Sequence, residues 1–356
     1  MNTLSQRGRE ALDRHYATIG QINNTSNVHR QFTIDPTVEQ RLEDLQTESV
    51  EFLNAINIFG VRDLKGQTIG MGANNMIGAR TSAANLPRTP KYVGRMQEKS
   101  YELFDTEFDT MLPWALIDAW SKFPDFAVRY SRAVAISIAL TRITVGWHGL
   151  AAAAQTDPEE NPNGEDLNIG WLQKLRLERP DHVMGRAMVG GTATGAAAPV
   201  LVGAGQNYQN IDALAYDLIS GMPSWARANT EHLVMVSSDL VDEKYFPMIN
   251  RPLAATVDGG KATSDEVVGQ IIRSQKQIGG RPAVIVPFFP EGTMLITPPK
   301  NLSIYYQEGS RRRYIKDEPE NKRGLVDYNS VNEGYIIEDD DFAVMAENIT
   351  FEAADP

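Results

Sequence analysis

The stretch PVLVGAGQNYQNIDALAYDL, residues 199–218, holds the pattern best suited to chemistry. A short apolar run, then Gly203-Ala204-Gly205, then a helical pattern is the layout of a dinucleotide-binding turn. In such a turn glycines let the backbone approach a pyrophosphate at a helix N-terminus. A site of that kind would make the chain a nucleotide-cofactor oxidoreductase. The pattern departs from this use twice. Tyr208 fills the third glycine position, where close helix–strand packing needs a small residue, and the next strand pattern, HLVMVSS, ends near Asp239, beyond the usual distance to a ribose-binding acid. A GxG in an ordinary loop is the better reading. Gly259-Gly260-Lys261-Ala262-Thr263 faintly suggests a phosphate loop. It lacks the leading glycine, and Ala262 stands where a magnesium-binding hydroxyl belongs, so it reads as a flexible insert.

Metal chemistry has less support. His15, His29, His148, His182 and His232 are scattered, with no HxxxH or His–carboxylate spacing. Glu338-Asp339-Asp340-Asp341 lacks the alternating ligands and turn glycine of a calcium loop and reads as a solvated acidic turn. There is no cysteine, so thiolate sites, disulfides and cysteine catalysis are excluded. No nucleophile elbow of the GxSxG type occurs. Catalytic, cofactor-binding and metal-binding residues are therefore all expected to be none. Arg311-Arg312-Arg313 is a genuine basic cluster, interleaved with Glu308, Asp317, Glu318 and Glu320. Ion pairs within or between subunits are the leading reading, and contact with DNA is the alternative.

The net charge of −12 argues against tight, phosphate-led nucleic-acid binding, which needs clustered Lys and Arg. Residues 1–31 carry Arg7, Arg9, Arg14 and Arg30 against Glu10 and Asp13, a surplus of +2 that leaves −14 on the rest. This basic leader looks like a separate module. It has no apolar core of a signal peptide, and the uncharged stretch 187–211 is too rich in glycine for a membrane helix. A soluble protein is expected.

The elements that would position any site follow from periodicity. Leu12, Tyr16 and Ile19 give the leader a modest helix, followed by a linker, GQINNTSNVHRQ. Asp35 caps a second helix with Pro36 in its first turn. Val38, Leu42, Leu45, Phe52 and Ile56 form its stripe, interrupted at Ser49. That stripe predicts packing on its own domain, with packing on a neighbouring subunit as the alternative. Strands QTIGMG and SYELFDTEFDT flank a long polar tip, an extended hairpin that needs something else to lie on. Residues 126–150 form the strongest helix, a rod of roughly 38 Å that should be buried on several sides. From Tyr208 an α/β pattern runs through HLVMVSS, DLVDEKYF, EVVGQIIRSQKQ, AVIV, TMLI and LSIYY. The C-terminus returns to strands, with Phe342, Val344, Ala346, Ile349 and Phe351 as inward candidates.

FTIDPTVEQRLEDLQTESVEFLNAINI, GWLQKLR, DEKYFPMIN and AVIVPFFPEGTMLITPPKNLSIYYQEGSRRR resemble the major capsid proteins of peduovirus-type tailed phages, the relatives of coliphage P2. The resemblance runs from about Phe32 to the C-terminal strands and departs from the family pattern at 187–205 and 252–266. It implies an α+β chain of the HK97-like fold: a leader at 1–31, an N-arm at 32–62 and an extended loop at 63–112. A peripheral domain with a spine helix would take 113–206 and 307–356, and an axial domain 207–306. It further implies a non-enzymatic subunit of hexamers and pentamers in an icosahedral head, without cofactor or membrane. The implied partners are copies of itself, a scaffolding protein, a maturation protease and a portal, with packaged double-stranded DNA touched weakly. The place would be the virion, after assembly in the host cytoplasm; related proteins are often trimmed near the N-terminus, and the linker before Phe32 is the expected place for that here. Candidate contact residues are Asn74, Asn75, Arg80, Pro87 and Arg88 on the loop, with Arg311, Arg312 and Arg313. An encapsulin-like cargo shell is the alternative of the same fold.

Overall fold

The computed structural model describes residues 4–72, 95–123, 125–249, 276–319 and 323–351. Helix α1 (Gln6–Ile22) is followed by β1 (Phe32–Thr33), α2 (Pro36–Ser49), α3 (Glu51–Ala55) and β2 (Asn57–Val61). Next come β3 (Lys65–Gly72), β4 (Arg95–Glu102), β5 (Phe104–Glu107), β6 (Thr110–Pro113), α4 (Trp114–Trp120), α5 (Phe126–His148) and α6 (Trp171–Glu178). Short strands β7 (Val183–Met184) and β8 (Val200–Val202) lead to α7 (Ile211–Gly221), α8 (Ser224–Arg227), β9 (Leu233–Val236) and α9 (Ser238–Ile249). The chain ends in β10 (Gln277–Ile278), β11 (Arg281–Ile285), β12 (Met294–Thr297), β13 (Leu302–Gln307), β14 (Arg312–Glu318), β15 (Gly324–Ile337), β16 (Val344–Ala346) and β17 (Ile349–Phe351).

Strand β15 is the axis of the larger sheet. β14 pairs with its first half, β13 with its second, and β5 and β6 also pair with it. β1 extends the sheet at β14, and β2 extends it at β13 in parallel. The smaller sheet runs β10-β11-β9-β12-β16-β7.

That smaller sheet separates two apolar cores, because side chains alternate along a strand. Met235, Leu295 and Met345 enter one core with Leu53, Ile143, Trp147, Trp171 and Tyr335. Their chain neighbours Val234, Val236, Met294, Ile296, Val344 and Ala346 enter the other with α7, α8 and α9. The expected division into 113–206 with 307–356 against 207–306 therefore does not separate the cores: β16, from the C-terminal segment, pairs with β12. Strand β13, placed at the end of the axial segment, lies in the larger sheet.

Three further expectations are corrected. The leader is not a separate module over its described residues. Leu4, Leu12, Ile19 and Val28 pack with Leu112, Ile117, Phe126, Ile315 and Leu325, because the apolar face of α1 has a partner in α4, α5 and the sheet. The hairpin's second strand is β4, shifted toward the tip. The chain leaves the hairpin at Leu103, and Phe104–Glu107 and Thr110–Pro113 join β15 instead. The rod α5 buries only Phe126 and Ala135 in its first half and is buried chiefly along its second half. Val128 is 72% exposed, whereas Ala139, Arg142 and Ile143 are 0% exposed. Close packing of that half depends on Gly146, where a Cβ would sit 2.3 Å from the Trp171 ring. The insert at Gly259–Thr263 and nearly all of EVVGQIIRSQKQ lie outside the described residues.

Candidate assembly surfaces

The GxG turn is not arranged for a cofactor. Among the described residues β8 forms a two-stranded sheet with β17, and its one further bridge, Val202 to Tyr208, lies within its own loop, so it is not a central strand of a parallel sheet. Helix α7 starts six residues beyond Gly205, and its N-terminus is closed by Asn210, whose side chain accepts the Ala213 N–H at 2.8 Å. Gly203 N–H donates to the Tyr208 carbonyl at 2.8 Å, and Tyr208 hydroxyl donates to Asp217 at 2.6 Å. The glycines serve a closed loop. His29, His148, His182 and His232 each hydrogen-bond a backbone carbonyl, which is a structural use of the ring. No group of metal-binding side chains occurs among the described residues, and no helix among them is long and apolar enough to cross a membrane.

Helix α2 is fastened by charge. Its cap forms as expected, with Asp35 accepting the Thr37 N–H at 2.9 Å, and the helix breaks at the extended residue Val50. The face turned toward α5 carries Glu39, Glu43 and Gln46, all buried, while Val38 and Leu42 are half-buried and Leu45 is exposed. Phe52 and Ile56 of the predicted stripe do enter the chain's own core, so it is only the α2 part of the stripe, Val38, Leu42 and Leu45, that lies off the buried face. The reason lies across the interface, where Arg142 of α5 is 0% exposed. Its guanidinium donates to Glu43 at 2.7 and 3.2 Å, to Gln46 at 2.9 Å and to Glu333 at 2.8 Å. Arg311 also pairs with Glu43, and Gly309 N–H donates to Glu39 at 3.0 Å.

The acids divide these cations unequally. Burial would raise the Glu43 pKa, but Arg142 and Arg311 outweigh it and hold the carboxyl below the ordinary range. Burial wins at Glu333, which receives a single Arg142 N–H and is raised. It wins at Glu39 as well, against the Gly309 N–H and Arg311. A buried pair of this kind specifies one seating for the helix, since loss of either partner strands a charge in an apolar setting.

The base of the hairpin has its own latch. β3 and β4 pair from Lys65↔Glu102 to Gly72↔Arg95. Lys99 reaches the Ile337 carbonyl at 2.8 Å, Asp340 at 2.5 Å and Glu178 at 2.5 Å, and Tyr101 meets Tyr305 edge to face. Asp341 pairs with Arg179, and Glu338 accepts from Ser303 and Tyr305. The acidic run 338–341 is therefore a partnered anchor and not a solvated turn; Asp340 and Asp341 are buried. Sequence reasoning missed Glu43, Gln46, Lys99, Glu333 and the true use of Arg142. Only the polar letters inside otherwise regular elements could have signalled them.

The predicted contact residues part company. Asn74, Asn75, Arg80, Pro87 and Arg88 lie outside the described residues. Arg311 is buried against Glu43, and Arg313 makes a bidentate pair with Asp327 at 2.5 and 2.9 Å. Both are spent within the chain. Arg312 is exposed on β14, beside Glu107 and Asp109 in a shallow recess.

The long helix α5, the β3–β4 hairpin and the two sheets around β15 and β12 make an α+β architecture of the HK97-like capsid fold. A chain of the satellite phage P4 procapsid structure that includes the size determination (Sid) protein superposes with a TM-score of 0.77, at 32% identity, covering 98% of this chain and 99% of that one. A chain from the capsid of an empty GTA particle shares the fold at 13% identity, with a TM-score of 0.51 over 85% of this chain and 90% of that one. The capsid protein of Escherichia phage P2 is 33% identical over 94% of this chain and 92% of its own length. The major capsid protein of Serratia phage KSP20 is also 33% identical, over 96% and 97%. Residues 11–349 match the family of P2 phage major capsid proteins, and the chain belongs to that family. It is a subunit of a phage capsid shell.

Proposed function

We propose that this chain closes, as hexamers and pentamers, an icosahedral head around double-stranded phage DNA, and that it catalyses no reaction. The observation that carries this reading is the seating of α2. Its charged face is consumed by Arg142 and Arg311, which leaves Val38 and Leu42 half-buried and Leu45 exposed. Apolar area left in water costs about 25 cal/mol per Å², and in a shell a neighbouring copy covers it. Many modest contacts of this kind acting together make a lattice far more durable than any single pair.

In this reading residues 32–62 are the N-arm, and the β3–β4 hairpin within 63–112 is the extended loop lying over an adjacent subunit, while β5 and β6 stay in the larger sheet. Residues 113–206 with 307–356 supply most of the peripheral domain and 207–306 most of the axial domain, with β13 lending itself to the larger sheet and β16 to the smaller. Residues 1–31 help direct early assembly from the shell interior. A scaffolding protein, a maturation protease and a portal are the further partners in the host cytoplasm, and packaged DNA is touched weakly. Deletion of Asn74–Arg88 tests the loop. The variant should remain a folded, soluble subunit that fails to form stable shells, and normal capsids from it would refute the assignment.

A further inference from the structure

Residues 282–290, PAVIVPFFP, contain no polar side chain, and they are not all buried. Val286 and Phe289 point inward, with the Phe289 ring 4.9 Å from Trp147 in an edge-on contact. Ile285 and Phe288 are 44% and 52% exposed. Phe288 also has a φ of +57°. The Phe289 N–H donates to the Val286 carbonyl at 3.4 Å, which makes 286–289 a tight turn with Pro287 second and Phe288 third. The third position of a turn with positive φ belongs by preference to glycine or asparagine, because a Cβ crowds the backbone there. A phenylalanine there is strained and solvated at once, so it contributes little to its own subunit. The turn is held nonetheless: the buried rings on one side fix it, and the His148 imidazole donates to the Phe288 carbonyl at 2.9 Å. Two residues on from that histidine, Leu150 is exposed as well.

We infer that the Phe288 turn, with Ile285 and Leu150, is a contact surface for a second copy of this chain, and that the Phe288 ring is its anchor. Backbone strain of this sort persists where function requires it, and buried aromatic anchors dominate the energetics of protein interfaces. The choice of a copy as occupant follows from charge. Subunits of net charge −12 repel one another, so copies meet at least cost where a surface carries no charge. The stretch 282–290 is such a surface.

The inference rests on the shell reading, and the test separates the two. Phe288→Asn suits the turn and removes the ring; Phe288→Tyr keeps the ring. Assembly of the full-length parent and both variants is followed by light scattering and electron microscopy, and melting is followed on dilute, unassembled subunits. The expected result is a Phe288→Asn subunit that melts within about 2 °C of the parent or higher. Its assembly threshold should rise at least about tenfold, with Phe288→Tyr assembling like the parent. Phe288→Asn shells at the parental threshold would overturn the inference and leave the shell reading intact. A clear fall in melting temperature for Phe288→Asn would also overturn it, because the ring would then serve its own subunit. Failure of the parent to assemble would instead sink the shell reading.

Discussion

Helices α1 and α2 are neighbours in the chain and carry comparable apolar repeats, but they face opposite ways. In α1 the repeat Leu12, Ile19 is buried, together with His15, and Leu4 extends the contact. Ser5 caps the helix through the Gly8 N–H at 3.1 Å and ties it to Asp118 at 2.6 Å. In α2 the cleaner repeat is left partly uncovered, with Val38 and Leu42 half-buried and Leu45 exposed, and Glu39, Glu43 and Gln46 are buried. The first helix is held by the hydrophobic effect, which is non-directional. The second is held by a charge network, which fixes one rotation and one register. The difference shows how a subunit can seat an arm firmly and still keep apolar area for its neighbours.

The largest effect should come from the charge network. Arg142→Met leaves Glu43 and Glu333 buried with too little positive charge, and it should destabilise the subunit by roughly 3–5 kcal/mol in chemical denaturation. Adding Glu333→Gln should restore part of that loss. If Arg142→Met proved as stable as the parent, α2 would not be held by charge.

Next comes the contrast between the two stripes. Leu12→Ala empties a packed site and should cost roughly 2–4 kcal/mol of α1 docking, read as faster protease cleavage near the N-terminus. Leu42→Ala should cost the lone subunit under about 1 kcal/mol while lowering shell yield. Equal costs in the isolated subunit would erase the distinction.

The smallest effect is a pH dependence at α1. Burial, then Arg313, lower the His15 pKa from its ordinary 6.5, against Asp327, which raises it. The docked state therefore binds fewer protons than the undocked one. Docking should be strongest above 6.5 and weaken as pH falls from there toward the lowered value. The protection of α1 amides, taken as exchange relative to the intrinsic rate at each pH, should fall between about pH 7.5 and pH 5.5, and His15→Gln should flatten that response.

These contrasts mark what a sequence can carry. The cap at Asp35, the rod at 126–150, the strand patterns of HLVMVSS, TMLI and LSIYY, and the HK97-like α+β class were all legible, because each follows from local periodicity or from a long family match. The facing of α2 was not. Periodicity counts apolar letters, whereas the orientation was decided by Arg142, Arg311 and Glu333, far away in the chain. The same holds at the acidic run 338–341, whose partners Lys99 and Arg179 come from distant elements. Phe288 was equally hidden, since its significance lies in a dihedral angle and not in its residue type.

Electron microscopy of the full-length chain expressed alone, paired with sedimentation at rising concentration, tests most directly whether copies cover the outward-facing apolar surface. Rings and curved, closing shells should appear above a threshold concentration. A monodisperse monomer at every concentration and salt condition would contradict the account.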